Sequence, residues 1–200
     1  MNDTRDDLAL SFLTFSNQYL TLVENVARET VSQGNSWVII SDFVLEKGEY
    51  EKKTHWSDFS IIIPLLFNLF HGMELLLKGF ILIDPLEDKK TKEHNIQSLC
   101  DCFKRKYPDQ LILNSFFSKY TKRSLMPEIL QQFLADNKLH IEKIYQELRY
   151  PSPPGNLTIR DYSSLKYRDK NGVLFFKDLA DDIHLVLWES VKMYYCLEKK

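Results

Sequence analysis

The stretch FNLFHGMELLLKGFIL, residues 67 to 82, carries four polar side chains that could do chemistry in an otherwise apolar segment. A helical repeat of 3.6 residues places all four on a stripe about a third of the helix circumference wide. They are Asn68, His71, Glu74 and Lys78. An imidazole transfers protons near neutral pH, and a carboxylate four residues before an ammonium forms an ion pair. The segment therefore combines an apolar core helix with groups that bind or exchange protons.

Two interpretations of these four residues, called the polar seam below, remain open. In the first, Glu74 and Lys78 form a partly exposed ion pair worth about 0.3 to 0.5 kcal/mol, with Asn68 and His71 as hydrogen-bonded neighbours. In the second, the polar seam lines a cleft or a subunit interface, because the rest of the helix is apolar and must face a core. No metal site is expected, since the spacing of His71, Glu74 and His94 matches no common zinc motif.

Composition limits the classes of function without choosing among them. The chain has 200 residues, 44% of them apolar, and a formal net charge of -2, which suits one well-cored globular domain. Because there is no overall basic excess, any nucleic-acid contact must come from a local patch. Three basic clusters interleaved with tyrosines are the candidates for RNA contact: Lys104, Arg105, Lys106, Lys119, Lys122, Arg123, Lys166, Arg168 and Lys170.

The sequence predicts a cytoplasmic, reduced protein without a cofactor. Its first residues, MNDTRDDLAL, are acidic and polar and do not resemble an export signal. Its three cysteines are odd in number and sparse for a disulfide-stapled domain. The apolar run over 61–83 is long enough to cross a membrane, but Glu74 and Lys78 inside it would each cost about 2.5 to 3.5 kcal/mol at a bilayer centre. No membrane contact is therefore expected.

Helical periodicity predicts the elements that must position the polar seam. Apolar residues recur at helical spacing over 6–31, 58–83, 94–107, 127–150 and 177–199. Over 156–176 the pattern changes, and Asn171-Gly172 between two β-prone runs predicts a hairpin with a type I′ turn. The predicted fold class is all-α: a single domain over 1–200, built as an up-and-down bundle of four to five helices, with a small β-hairpin inserted before the last helix.

Three phrases together resemble the HEPN domain family of prokaryotic helical-bundle proteins. They are FHGMELLLKGFIL, EHNIQSLCDCFKRKYP and QELRYP, in this order between about Phe67 and Pro151. Family members often show a similar His-Glu-Lys run on one helix, a His that opens the next helix, here His94, and an Arg-Tyr-Pro-like helix end, here Arg149. The resemblance implies a bundle of four to five helices, usually a homodimer. In many members it also implies a metal-independent ribonuclease used in toxin–antitoxin and phage-defence systems.

The resemblance also implies where a ribonuclease site would lie, and this sequence departs from that motif. Active members carry an Arg, a polar residue and, a few residues further on, a His near the start of the last helix, and two such motifs face each other across the dimer. The nearest candidates for catalytic residues here are Lys177, Asp178 and His184. Cleavage of RNA without a metal needs a base, an acid and a cation at the phosphorane. Lysine offers a point charge where arginine grips phosphate with a planar fork, so the motif is interpreted as degenerate.

Two functions follow as expectations. The first is a non-catalytic HEPN-like module that dimerises and binds RNA or a protein partner in a defence or toxin–antitoxin system. The second is a metal-independent endoribonuclease that uses a variant Lys177/His184 site. Two roles stay open for Arg149: it docks onto Glu74 or a phosphate, or it completes the C-terminal end of its own helix. His184 has the plainer alternative of a surface histidine on a helix.

Overall fold

The computed structural model describes residues 3–40, 42–46, 48–83, 94–152 and 159–198. Over these ranges the secondary structure is helical, without a β-strand, which confirms the all-α prediction. The helices are α1 (Asp3–Ser32), α2 (Glu49–Thr54), α3 (Asp58–Ile83), α4 (Ile96–Lys106), α5 (Leu111–Thr121), α6 (Glu128–Asp136), α7 (Ile144–Arg149) and α8 (Asp169–Glu198), with 3-10 turns at Ile141–Lys143 and Ser163–Leu165.

The central helix α3 packs antiparallel along α1. Ser16 Oγ donates a hydrogen bond to the Gly72 carbonyl at 2.8 Å, and Arg5 Nε donates to the Leu82 carbonyl at 2.7 Å near the end of α3. The two helix backbones approach closely because Gly72 and Gly79 have no side chains on this side: a Cβ on Gly79 would lie 2.7 Å from Leu13 Cγ. Although α3 has the length and composition of a membrane span, most of its apolar window is buried inside this fold. It packs against α1, α4 and α7, while α8 packs on α1 and α5.

Replacing Gly79 by alanine is expected to lower the free energy of unfolding by up to about 2 kcal/mol. Alanine improves helix propensity by about 1 kcal/mol, but overpacking against Leu13 costs about 1 to 3 kcal/mol and the backbone nitrogen of Leu13 is only 3.2 Å away. Urea unfolding measures the change. The same substitution in a Leu13→Ala background should cost less, and an equal cost in both backgrounds would contradict the steric explanation.

The predicted β-hairpin is wrong over the described part of its range, 159–176; residues 156–158 lie outside the described residues. Helix α8 begins at Asp169, so Asn171 and Gly172 lie in its first turn. Tyr167, two residues before α8, has a left-handed φ of 61°. Gly172 meets a packing requirement, because a Cβ there would lie 2.3 Å from Asn35 Nδ2. The glycine of this Asn-Gly pair is therefore required by close packing against Asn35 and does not indicate a turn.

Asp58, the first residue of α3, holds the start of α8 in place. Its buried carboxylate accepts hydrogen bonds from the backbone N–H groups of Tyr167 and Arg168, at 2.9 and 2.7 Å, and from Asn35 Nδ2 at 3.0 Å. In return, the Asp58 N–H donates to Asn35 Oδ1 at 2.6 Å. One carboxylate thus joins the chain after α1, the beginning of α3 and the beginning of α8. These bonds stabilise the positive φ of Tyr167, a conformation that costs about 1 to 3 kcal/mol in a non-glycine residue.

The helix predicted over 127–150 is interrupted in the middle. Helix α6 ends in a Schellman motif, in which the Leu139 N–H bonds to the Leu134 carbonyl and the Lys138 N–H bonds to the Ala135 carbonyl. Lys138 takes the left-handed position of this motif with a φ of 52°. That position usually belongs to glycine or asparagine, so the lysine gave no stop signal in the sequence. A 3-10 turn and the short helix α7 complete the segment.

Candidate functional site

The Glu74–Lys78 pair of the polar seam is formed and buried. Lys78 Nζ donates to Glu74 Oε1 at 2.6 Å, and each side chain is only 6% exposed. The first interpretation of the sequence expected a partly exposed pair, so the structure agrees with the contact and differs in its environment. Burial changes the energetics, because a charge that loses its partner inside a protein costs several kcal/mol whereas an exposed pair contributes little.

His94 adds an imidazole to this pair from the chain just before α4. Its Nδ1 lies 2.9 Å from Glu74 Oε1, the same oxygen that accepts from Lys78. Because an ionised carboxylate only accepts hydrogen bonds, this contact assigns a proton to Nδ1. Asn95 then caps α4 by accepting from the N–H groups of Gln97 and Ser98. The His-Asn phrase of the sequence therefore has two separate structural roles.

The other members of the predicted site surround this triad. His71 is half-buried, packs edge-on against Tyr19 with ring centroids 4.7 Å apart, and stacks on Phe67 at 6.1 Å. Burial is the main cause that lowers the pKa of His71, and the positive charges of Lys78 and Arg149 lower it further, against an opposing effect of Glu74. Neutral imidazole is therefore the favoured form at pH 7.

Arg149 belongs to the same electrostatic neighbourhood but does not dock onto Glu74 in the described part of the chain. Its charge reaches His71, while its guanidinium lies 5.7 Å from the centre of the Tyr150 ring and is exposed. Asn68 is half-buried one turn before His71. The structure thus brings Glu74, Lys78 and His94 into direct contact, and a binding role for the polar seam stays a prediction.

The residues predicted to be catalytic do not converge on one point. His184 Nδ1 lies 3.1 Å from Glu24 Oε1 of α1, and Lys177 stands two helical turns earlier, about 10.5 Å along the axis. Asp178 lines a different cavity, between α8 and the α5–α6 region. Both Lys177 and Asp178 are exposed. Their catalytic role remains a prediction, and the geometry offers no single phosphate position that all three would contact.

The structure places an arginine beside His184 that the sequence reasoning missed. Arg28 donates from Nε and Nη2 to Glu24 Oε1, each at 2.9 Å, and its Nη1 lies 3.5 Å from Asp181 Oδ1. Glu24 Oε1 therefore joins Arg28 to His184. A search for an arginine shortly before a histidine in the chain does not find this pair, because Arg28 lies in α1 and His184 lies in α8. Only the Glu24–Arg28 spacing of four residues hinted at an ordered cation there.

The basic clusters lie on both sides of α5. Lys104 and Lys122 line a cavity of about 210 Å³ between α4 and α5, together with Asp101 and Asn114. Lys119 and Arg168 line a cavity of about 570 Å³ on the other side; the wall of that cavity also includes Tyr120, Leu125, Glu128, Asn171, Leu174 and Asp178. Within this wall Lys119 Nζ and Tyr120 Oη both donate to Asp182 Oδ2, at 2.6 and 2.8 Å. Burial, and then the charge of Asp182, raise the pKa of Tyr120 well above its usual value.

Not every lysine and arginine of these clusters is available to a ligand. Lys106 Nζ donates to the Ile81 carbonyl at 3.3 Å, and Arg105 Nε donates to the Asp101 carbonyl at 3.4 Å. Lys166 Nζ lies 5.1 Å from the centre of the Phe59 ring. Arg123 is exposed after α5. The predicted RNA-contact residues therefore fall into three groups: Arg105 and Lys106 bond to backbone carbonyls, Lys104, Lys122 and Arg168 border the two cavities, and Lys166 and Arg123 do neither.

Aromatic rings extend the basic surface next to Lys166. The rings of Phe59 and Tyr167, each 47% exposed, have centroids 5.5 Å apart, and Tyr167 packs edge-on against Trp37 at 4.9 Å. Exposed rings beside lysine and arginine are the arrangement on which bases of single-stranded nucleic acid stack. Sequence reasoning missed Phe59 and Trp37 because they lie far from the basic cluster in the chain.

Comparison of the chain with protein-family models, with curated proteins and with solved structures finds no match in any of the three. Over the described ranges, no group of three or more His, Cys, Asp or Glu side chains converges as a metal site would require. The function must therefore be inferred from the chain itself.

Proposed function

We propose that this chain is a non-catalytic, HEPN-like up-and-down helical bundle that dimerises and binds RNA, within a defence or toxin–antitoxin system. The observation that carries the RNA part is the position of the basic residues. Lys104 and Lys122 border one side of α5, Arg168 borders the other, and the Phe59–Tyr167 ring pair lies beside Lys166. Cations can bind the phosphate backbone of RNA, and exposed aromatic rings beside them can stack with the unpaired bases of a single strand or a loop. A protein partner in place of RNA is the alternative outcome of the binding test.

The absence of catalysis is supported by how the charges around His184 are used. Its imidazole contacts Glu24, and Arg28 pairs with both Glu24 and Asp181. The carboxylates of Glu24 and Asp181 thus neutralise Arg28, the cation that would stabilise a phosphorane, and they repel the phosphates of an RNA backbone. Arg28 is also the one feature that favours the second function, a metal-independent ribonuclease with Lys177 and His184, because it supplies an arginine next to the histidine.

RNA binding is expected to weaken on replacement of Lys104 and Lys122 together by alanine. Each lost phosphate contact should make the negative slope of log affinity against log salt less steep by about 0.7 for a single strand, so the pair should make it less steep by about 1.4. Fluorescence anisotropy with a labelled structured RNA at several salt concentrations measures this. Lys53 and Lys192 are exposed lysines elsewhere, and their double alanine variant is the control. Equal weakening in both variants, or no RNA binding by the unmodified protein, would contradict the RNA surface.

Cleavage is tested on the same RNA in the presence of EDTA. The protein, His184→Ala and Arg28→Ala are expected to leave the RNA intact. Robust cleavage that disappears in His184→Ala would contradict the non-catalytic assignment and establish the ribonuclease. Neither cleavage nor binding would direct the search to a protein partner.

A further inference from the structure

Helix α1 contains an unusually long uncharged run for a helix at the surface. From Leu8 to Val23 the sequence LALSFLTFSNQYLTLV has no Asp, Glu, Lys, Arg or His, although acidic residues precede it and Glu24 follows it. Only one side of this run is buried against the core, where Ala9, Ser16, Leu20 and Val23 lie. The opposite side is exposed and carries apolar and neutral polar groups. An exposed surface depleted of charge is the composition found at the centre of protein–protein interfaces.

The exposed side has a regular apolar pattern. Leu8, Phe15 and Leu22 follow one another at seven-residue intervals and are 49%, 55% and 48% exposed. Phe12 and Tyr19, both half-buried, fall between them, so the spacing alternates between four and three residues. This is the heptad repeat by which one helix packs along another. The stripe from Leu8 to Leu22 is about 21 Å long. Helix α3 contacts its edge at Tyr19, whose ring packs against His71, whereas Leu8, Phe15 and Leu22 stay exposed.

The order of residues in the stripe fits a second copy of the same chain. An isologous dimer places position 15 − n of one copy opposite position 15 + n of the other when its two-fold axis passes through Phe15. Leu8 and Leu22 are then opposite each other, and Phe15 meets Phe15. The stripe reads Leu-Phe-Leu in both directions, so it is complementary to itself when the two helices run antiparallel. Because the run holds no charge, two identical faces meet without repulsion.

The charge pattern does not suit other classes of occupant. RNA requires cations, and a helix lying on a membrane surface carries lysines and arginines on its polar face. A strongly charged protein would be matched by opposite charges on this face. The run from Leu8 to Val23 has none of these.

We propose that a second copy of this chain covers the uncharged face of α1, with the two α1 helices antiparallel about a two-fold axis at Phe15. This proposal rests on the dimer of the proposed function and goes beyond it by naming the surface and the register. A separate groove of about 290 Å³, where Val191 and Tyr195 of α8 are exposed opposite Leu10, lies on another side of α1, because Leu10 is about 200° around the helix from Leu8. Helix α5, which carries the basic surface, packs on α4 and α8, so RNA and the second copy would use different helices.

The first test is the oligomeric state of the full chain by analytical ultracentrifugation. The protein should sediment at twice its chain mass of 23.7 kDa. Phe15→Glu should weaken the dimer on the order of 100-fold, because two carboxylates then meet at the axis. Circular dichroism should show unchanged helicity, since Phe15 is exposed in one copy. Leu111→Glu is the control: Leu111 is 74% exposed on α5, and that variant should remain dimeric.

The second test addresses the antiparallel register. Leu8→Glu alone should weaken the dimer, and Leu8→Glu combined with Leu22→Lys should restore it, because each new carboxylate then faces a new ammonium of the other copy. A parallel pair would place like charges opposite each other, and the double variant would stay monomeric. That result would overturn the register.

The outcomes separate this inference from the proposed function. A monomeric unmodified protein would overturn both the interface and the proposed dimer, and would leave the α1 face to a different protein. A dimer that persists in Phe15→Glu would overturn the α1 interface and keep the dimer. RNA affinity of Phe15→Glu, measured separately, reports on the α5 surface in either case.

Discussion

Asp58→Ala should lower the free energy of unfolding by about 3 to 5 kcal/mol, because Asp58 of α3 fixes the backbone at the start of α8. The substitution leaves the N–H groups of Tyr167 and Arg168 and the amide of Asn35 without the acceptor that all three share. Each buried donor left unsatisfied costs about 1 to 3 kcal/mol. The positive φ of Tyr167 also loses the bond that holds it. Urea unfolding at a fixed protein concentration measures the loss.

Asp109→Ala is the matched control for this prediction. Asp109 is an exposed aspartate between α4 and α5, and its substitution should change stability by less than about 0.5 kcal/mol. An equal effect of the two substitutions would show that Asp58 has no special structural role.

Glu74→Leu is the second substitution with a large expected effect, a loss of about 3 to 5 kcal/mol. Glu74 Oε1 compensates Lys78 inside the fold, and a buried ammonium without its carboxylate is strongly destabilising. His94 loses its acceptor at the same time. Because a buried pair often exchanges for apolar residues at little cost, Glu74→Leu with Lys78→Met should recover most of the stability. The double-mutant cycle, measured by urea unfolding, gives the coupling energy.

The chain offers a control pair with the same spacing and distance. Glu49 and Lys53 are also four residues apart and 2.6 Å from each other, but they are 38% and 52% exposed. Glu49→Leu should therefore change stability far less than Glu74→Leu does. If the two substitutions had the same effect on stability, burial would not be the cause of the loss in Glu74→Leu, and the Glu74–Lys78 pair would contribute no more than an exposed pair does.

The region around His184 shows why a motif defined along the chain does not decide a function by itself. The sequence has no arginine at the expected distance before a histidine, yet Arg28 reaches the same carboxylate as His184 across the α1–α8 contact. The same contact also brings Glu24 and Asp181, whose charges oppose phosphate binding. The arrangement supports the non-catalytic proposal. Cleavage by the unmodified protein that is lost in both His184→Ala and Arg28→Ala would instead favour a ribonuclease in which Arg28 takes part.

The sequence by itself determined the features that depend on near neighbours in the chain. The 3.6-residue apolar repeat predicted α1, α3, α4 and the later part of α8 because helix periodicity is local. The contact of Glu74 with Lys78 was predictable for the same reason, since a helix fixes residues four apart on one face.

Tertiary structure decided what depends on residues far apart in the chain. The start of α8 depends on Asp58, more than 100 residues away in sequence, and the Asn-Gly pair was therefore misinterpreted as a turn. Burial of the polar seam, its contact with His94 and the meeting of Arg28 with His184 required helices to pack together. The uncharged run of α1 was visible in the sequence, but which of its sides stays uncovered was decided by the packing of α3 and α8. The physical reason is that dihedral preferences and side-chain periodicity act locally, whereas burial and electrostatic environment are properties of the whole packed chain.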